Sequence, residues 1–475
     1  MKSIINIPAY TMLMDLPHIW SKNNRKVVRP KKLSSALFDN RTSESIKRSE
    51  EIYRQLQKGK SERFLVKNVK KLHGKVAVSP AKNAMLPILA AVLLSDKPVH
   101  LTNIPDLRDM HALIAILEDM GVKVIKNGRV TTLLASNLTT NMADSDLVSS
   151  MRASNLILGP LLGRQGAGRV ALPGGCPIGG RPMDIHLKGF EQMGAIITHG
   201  NDFIQGVSNG LIGANINLSF PSVGATENIM MAAVLAKGTT VITNAALEPE
   251  IDDLANFLNK MGAKISGIGT TSLTIEGVEE LHEVTYQAIG DRIEAATYLI
   301  AALMTGSKIR VENINPKHIK PVTNILKGMN ASIKIEKNAV EVRKSKLKGA
   351  KVTTLPHPGF PTDVQAQLMA LMTQAEGRSE ITETIFENRF MHVEHLRRLG
   401  ANIIIEGNTA VIHGPTKLEG HPVTCTDLRA SAAMVISALV AKGVTEIRDV
   451  FHMDRGYDHL ERKMGLLGAS ISRIS

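Results

Sequence analysis

The chain has 475 residues, a net charge of +13 and only 3% aromatic residues. With 43% hydrophobic residues it is long enough for two or three domains, whose cores must be filled by aliphatic and methionine side chains. Two cysteines exclude a disulfide framework and point to a reducing compartment, and no apolar run reaches the roughly 18 residues a membrane helix needs.

Residues Met1 to Glu62 contain 13 basic and 6 acidic residues, a net of +7, which leaves +6 for the rest. Pro8, Asp15 and Pro17 interrupt the apolar start, so it does not read as a secretory signal. The basic segment "NNRKVVRPKK" (Asn23 to Lys32) has no aromatics to stack on bases. It reads as a solvated tail, with neither nucleic acid nor membrane insertion expected. "SESIKRSEEIYRQLQKGK" (Ser43 to Lys60) has the composition of one polar helix. The whole stretch is expected to be an appended, largely mobile extension, dispensable for activity.

"AMLPILAAVLL" (Ala84 to Leu94) predicts a buried helix interrupted by a proline. Lys82 follows a turn just before it, where free backbone N–H groups favour anions. Beyond it a phrase recurs: "DMGVKV", "QMGAII", "KMGAKI", "GMNASI", "RLGANI" and "LLGASI". Its markers Gly121, Gly194, Gly262, Asn330, Gly400 and Gly468 are 73, 68, 68, 70 and 68 residues apart. Six copies at five near-equal steps define a repeat.

"LPGGCPIGGRP" (Leu172 to Pro182) sets Cys176 among four glycines beside Arg181. A free cysteine is usually a small core residue. Glycines on both sides suit instead a loop that closes over a substrate. In "SVGAT" the backbone N–H groups of Ser222, Val223 and Gly224 are placed to face an anion, and Ser222 also suits a helix N-cap.

The third repeat shows the internal grammar. A turn ("AKGTT") leads to a β-rich run ("VITNA") and then a helix with Ile251, Leu254, Phe257, Leu258 and Met261 at helical spacing. Gly262 closes that helix in the left-handed conformation, and the strand "AKISGI" follows. Six such units predict an α/β protein of two similar lobes, with three repeats in each and a boundary at "AIGDRIEAATY" (Ala288 to Tyr298).

"HPGFPTD" presents Asp363 after two prolines, on a rigid turn; a helix N-cap is the alternative role. Cys425 lies in the alternating "HPVTCTD" and reads as an ordinary strand residue. "HMDRGYDH" (His452 to His459) looks superficially like a metal cluster, but no His/Cys/Asp group has ligand spacing, and no metal is predicted.

Together, "AKNAMLPI", "MRAS", "LPGGCPIGGRPMD", "SVGAT", "FPTDVQAQ", "FENRFMH", "TDLRAS" and "DRGY" resemble the enolpyruvyl transferase family, specifically the transferases that act on UDP-N-acetylglucosamine. The resemblance runs from about Phe64 to the end. It implies two inside-out α/β barrel lobes of three repeats each, with the active site in the cleft between them. On that scheme residues 1–62 are the extension. Residues 63–81 plus 290–475 form the lobe that holds both chain ends, and residues 82–289 form the lobe with the Cys176 loop.

The implied reaction moves the enolpyruvyl group of phosphoenolpyruvate onto the 3′-hydroxyl of UDP-N-acetylglucosamine and releases phosphate, by addition and then elimination. This is the first committed step of peptidoglycan precursor synthesis. The substrates are small molecules, and no cofactor or metal is implied. The resemblance assigns Cys176 as the acid for the methylene carbon, and Lys82, Arg181 and Arg455 as the grip on phosphoenolpyruvate. Asp363 is the base for the sugar hydroxyl or the group that positions it. Arg152 and Arg429 are further cationic contacts, and Arg389 is either that or an interior ion pair. Asp427 is expected to hold Arg429 or Lys82. Asn83, Pro182, Met183, Asp184, Ile185, Ser222, Val223, Gly224 and Ile385 match segments lining the nucleotide-sugar site.

Two departures stand out. Pro80 replaces a usual glycine just before Lys82, and Phe220 stands where some relatives carry a basic residue. A shikimate-type transferase on the same fold and a catalytically inactive binding homologue are the alternatives. The resemblance implies bacterial cytoplasm, or a plastid if the source is a plant.

Overall fold

Glycine and asparagine at the repeat markers do what their chemistry allows. All six have positive φ, from +70° at Asn330 to +102° at Gly262 and Gly400. Each ends a helix in the left-handed conformation that turns the chain into the next strand. The computed structural model describes residue 47 and residues 61–143, 152–171 and 183–475, without the side chains of residues 152–154. The helix expected at Ser43 to Lys60 lies outside the described residues, apart from Lys47.

Among the described residues from 61 onward, helices come two to a repeat. They are α1 (Lys82–Ala91), α2 (Arg108–Asp119), α3 (Leu158–Gln165), α4 (Asp184–Gln192), α5 (Val223–Ala233), α6 (Pro249–Lys260), α7 (Arg292–Met304), α8 (Lys320–Gly328), α9 (Gln365–Met372), α10 (Val393–Arg398), α11 (Leu428–Ala438) and α12 (Leu460–Leu466). The two members of a pair differ in kind. All residues of α7 and α9 are buried, as are all of α1 from Ala84 and all of α11 from Arg429. A helix that is apolar all round must be enclosed by protein. The second helix of each pair keeps exposed positions, such as His111 in α2 and Asn256 in α6. Along α6 and its C-cap Met261 the five residues singled out by spacing are all 0–1% exposed.

Each repeat also supplies a small sheet. Five sheets have four strands and one has three, and among the described residues none closes into a barrel. In the five four-stranded sheets one edge strand runs parallel to its neighbour and the remaining pairs are antiparallel; in the three-stranded sheet both pairs are antiparallel, with an isolated parallel bridge between Met142 and Arg169. Strand Val284–Tyr286 returns to lie parallel to Val99–Thr102, so the last segment of the third repeat completes the first repeat's sheet. At the other end, Arg63–Lys67 sits between Val444–Arg448 and Ser470–Ile474, so both ends of the described chain share a sheet.

The apolar core falls into two clusters. One runs from Ala81 to Ala288; the other joins Phe64–Val78 to Ile293–Leu467. The two strands of chain linking them lie side by side. Ala81 N donates to Ile289 O at 2.7 Å and Asp291 N to Ser79 O at 2.9 Å, around a bridge between Pro80 and Gly290. Neither bond needs an N–H from residue 80, so the proline's missing donor takes nothing from the crossing.

Beside this crossing the clusters are tied by a buried ion pair. Arg292 Nε lies 2.9 Å and 3.2 Å from the Glu250 carboxylate oxygens. Burial, with Glu250 and Glu248 nearby, pushes the Glu227 carboxyl well above its usual range. Arg292→Met would leave Glu250 buried without its counter-ion. The expected loss is about 3–5 kcal/mol, and the Arg292→Met/Glu250→Leu pair should recover most of it. Urea midpoints of the three chains measure this.

Candidate active site

Two charge clusters meet where the apolar cores adjoin. The first is built on α1 and α2. Lys82 is the first residue of α1, and its Nζ lies 2.9 Å from Asp109 Oδ2 in the first turn of α2. Arg455 comes from the side of the other apolar core, at the end of the short 3-10 helix Val450–Arg455. Its Nε lies 2.9 Å from Asp109 Oδ1. One buried carboxylate therefore holds two cations drawn from the two cores. Burial would raise the Asp109 carboxyl, but Lys82 and Arg455 hold it below the usual carboxylate range. Burial pushes the Lys82 ammonium below its own range. Asp109 opposes that shift, while Arg455 and Arg429 add to it.

Asp291 fixes the approach of α1. Its Oδ1 caps α7 through the N–H groups of Ile293 (2.7 Å) and Glu294 (3.0 Å). Its Oδ2 accepts the Lys82 backbone N–H at 3.2 Å. Pro87 cannot donate back to the carbonyl of Asn83, so that carbonyl has no donor four residues on in α1.

The second cluster centres on Asp363. The residue lies in the 3-10 turn Thr362–Val364, and its side chain caps no helix. It points to two buried arginines instead: Arg389 Nη2 at 3.2 Å and Arg429 Nη2 at 2.9 Å. Burial would lower the Arg429 guanidinium, but Asp363 holds it above its usual value. Its other nitrogen, Nη1, is buried with no hydrogen-bond partner among the described residues. Thr362 Oγ1 and the Ile385 N–H both bond the Glu383 carboxylate, at 2.9 Å and 2.8 Å, which anchors Ile385 beside this turn.

Asp427 does not hold Lys82 or the Arg429 guanidinium. It is the N-cap of α11, accepting the backbone N–H groups of Arg429 (2.8 Å) and Ala430 (3.1 Å). The cap orients the helix that carries Arg429, and Asp109 takes the role expected at Lys82. Arg389, 3% exposed, is an interior ion-pair partner of Asp363.

Ser222 caps α5, its Oγ accepting Ala225 N–H at 3.4 Å. Met183 precedes α4 and is buried; Asp184 and Ile185 open α4. Phe220 is 46% exposed. Cys176, Arg181 and Pro182 lie outside the described residues. Arg152 starts the 3-10 helix Arg152–Ile157, with its side chain undescribed. Cys425 sits just past the strand Val423–Thr424 and is buried; burial pushes its thiol up to about 12, so it stays protonated and inert.

Asp109 and Asp291 were missed in the sequence, because an acidic residue at a helix start reads as ordinary capping. Asp109→Asn tests the first cluster. Without its countercharge, Lys82 should lose its proton at lower pH. The alkaline limb of kcat/KM for an anionic substrate should then move to lower pH, and KM for that substrate should rise. A pH profile identical to wild type would refute the role.

The family model of EPSP synthase (3-phosphoshikimate 1-carboxyvinyltransferase) matches residues 66–464. UDP-N-acetylglucosamine 1-carboxyvinyltransferase 2 of Carboxydothermus hydrogenoformans is 51% identical over 419 residues, covering 87% of this chain and 100% of that protein. UDP-N-acetylglucosamine 1-carboxyvinyltransferase 1 of Caldanaerobacter subterraneus is 50% identical over 413 residues, covering 86% and 99%. Among solved structures, the enolpyruvyl transferase NikO from Streptomyces tendae superposes with a TM-score of 0.79 at 24% identity, covering 87% and 99%. EPSP synthase from Acinetobacter baumannii gives 0.69 at 18%, covering 87% and 100%. At such identities the two structures speak for the fold alone.

Proposed function

Because the chain belongs to the EPSP synthase (3-phosphoshikimate 1-carboxyvinyltransferase) family of enolpyruvyl transferases, we propose that it transfers the enolpyruvyl group of phosphoenolpyruvate to the 3′-hydroxyl of UDP-N-acetylglucosamine, releasing phosphate. Identity of about half along nearly the whole length of relatives named for this activity carries the choice of acceptor. The product feeds peptidoglycan precursor synthesis, and this reading places the enzyme in the bacterial cytoplasm.

The clusters suit the two steps. In the addition, the hydroxyl oxygen bonds C2 of phosphoenolpyruvate while the π pair takes a proton at C3 and the hydroxyl loses its own. In the elimination, the C2–O bond to phosphate breaks and a proton leaves C3, restoring the vinyl group. No electrons are gained or lost overall. Lys82 and Arg455 lie within reach of one anion, since one carboxylate already spans them. With Arg181 they would hold the phosphate, and arginine's planar fork suits such oxygens. Arg429 Nη1 offers a buried donor for the substrate carboxylate. An ionised carboxylate has about four lone-pair sites. Asp363 accepts from Arg389 and Arg429 yet its side chain stays 25% exposed, which would let the sugar hydroxyl approach it. Cys176 supplies the proton to C3. Its loop, with Ser222 to Gly224, would enclose the nucleotide sugar.

A coupled phosphate-release assay decides the acceptor. Phosphate should appear with phosphoenolpyruvate plus UDP-N-acetylglucosamine. Release with shikimate 3-phosphate instead would overturn the acceptor, and release with neither would overturn the reaction.

A further inference from the structure

Arg473 stands on the strand Ser470–Ile474, directly opposite Phe64 of the strand Arg63–Lys67. Cross-strand partners share a face of the sheet. The guanidinium carbon of Arg473 lies 4.8 Å from the centre of the Phe64 ring, and that ring is fully buried. Stacking on a fixed ring restricts where the planar fork at the end of the side chain can go.

Three carboxylates meet the fork. Its Nη1 and Nη2 donate to Asp454 Oδ2 and Oδ1 at 2.9 Å and 2.6 Å. Nη1 also donates to Glu62 Oε2 at 2.7 Å, and Nη2 lies 3.5 Å from Glu461 Oε2 in the first turn of α12. Arg108, beside Asp109 at the start of α2, also feels the charges of Asp454 and Glu62. A lone surface ion pair stabilises little, but a two-pronged, partly buried arginine–carboxylate pair inside a network holds a defined geometry.

Asp454 directly precedes Arg455 on the 3-10 helix Val450–Arg455, which buries Val450 and Met453. A 3-10 helix has about three residues per turn and poorer hydrogen bonds than an α-helix, so successive side chains point about 120° apart on a backbone that resists twisting weakly. Holding Asp454 from outside the helix therefore sets where Arg455 points. Arg455 in turn reaches Asp109, and through it the Lys82 cluster.

We propose that Arg473 is a positioning residue for phosphoenolpyruvate: it ties Asp454 to the sheet and so aims Arg455 at the substrate phosphate. It touches no substrate itself, and the assignment rests on the role given to Arg455 above.

The test measures both KM values by phosphate release in the full-length wild type, Arg473→Met, Arg473→Lys and Asp454→Asn. Methionine keeps a stem over Phe64 and removes the fork. A displaced binding group costs about 10- to 100-fold. In Arg473→Met, kcat/KM for phosphoenolpyruvate should fall by that factor through a higher KM, with KM for UDP-N-acetylglucosamine unchanged. Arg473→Lys brings a point charge that can meet one oxygen, and it should recover part of the loss. Asp454→Asn loosens the same link from its other end while Arg473 keeps Glu62 and Glu461, and it should raise the same KM. If Arg473→Met yields no folded protein, Asp454→Asn decides alone. A merely weakened fold would shrink the active fraction, lowering kcat and leaving both KM values alone, and that result would overturn the assignment. Equal rises in both KM values, or an unchanged KM for phosphoenolpyruvate, would overturn it too. A wild type that releases no phosphate from phosphoenolpyruvate plus UDP-N-acetylglucosamine would overturn it together with the reading it rests on.

Discussion

Cys176→Ala should reduce phosphate release by about 10²–10⁴-fold, the usual contribution of a positioned proton donor. Alanine keeps the small apolar volume and removes only the transferable proton, so the loss should fall on kcat. Binding of UDP-N-acetylglucosamine, measured by titration calorimetry, should be retained. Cys176→Asp replaces one acid with another on a stem of similar length, and it should keep more activity at low pH than at high pH. The same thiol should be the residue alkylated by an epoxide mimic of phosphoenolpyruvate such as fosfomycin. Mass spectrometry placing the adduct on buried Cys425, or finding none, would remove Cys176 from the mechanism. Cys425 makes a sharp internal control, because burial holds its thiol protonated and thiolate is the nucleophile.

The parts of the fold that were legible are those fixed by local chemistry. A helix ending on Met-Gly-Ala needs a left-handed residue, and only glycine or asparagine takes that conformation easily. Asn330 at the fourth marker, with φ of +70°, follows the same rule as its five glycine counterparts. The spacing of Ile251 to Met261 likewise names a buried face from sequence alone. Asp363 was legible as a rigid turn residue, since two prolines and a glycine lead into it.

What escaped was pairing at a distance. Arg455 and Asp109 are 346 residues apart, and nothing near either residue names the other. Asp427 shows the converse. Its neighbour Arg429 suggested a side-chain ion pair, but an extended residue at a helix start caps backbone N–H groups first.

Asp363→Asn should cost the enzyme about 10²–10⁴-fold in kcat. The substitution keeps the shape and removes the charge. Oδ1 and Oδ2 each accept from a buried guanidinium, and an amide can serve only one of them. Its NH₂ end must then face the other arginine, donor against donor. Either Arg389 or Arg429 is left buried without its counter-ion, so a lower melting temperature should accompany the loss. Catalysis and stability separate in the double variant Asp363→Asn/Arg389→Met, which removes the stranded charge. Its melting temperature should rise towards wild type while kcat stays low, because no carboxylate remains to receive the sugar hydroxyl. If kcat instead recovered along with stability, Asp363 would be a structural counter-ion and the hydroxyl would need another acceptor in the cleft.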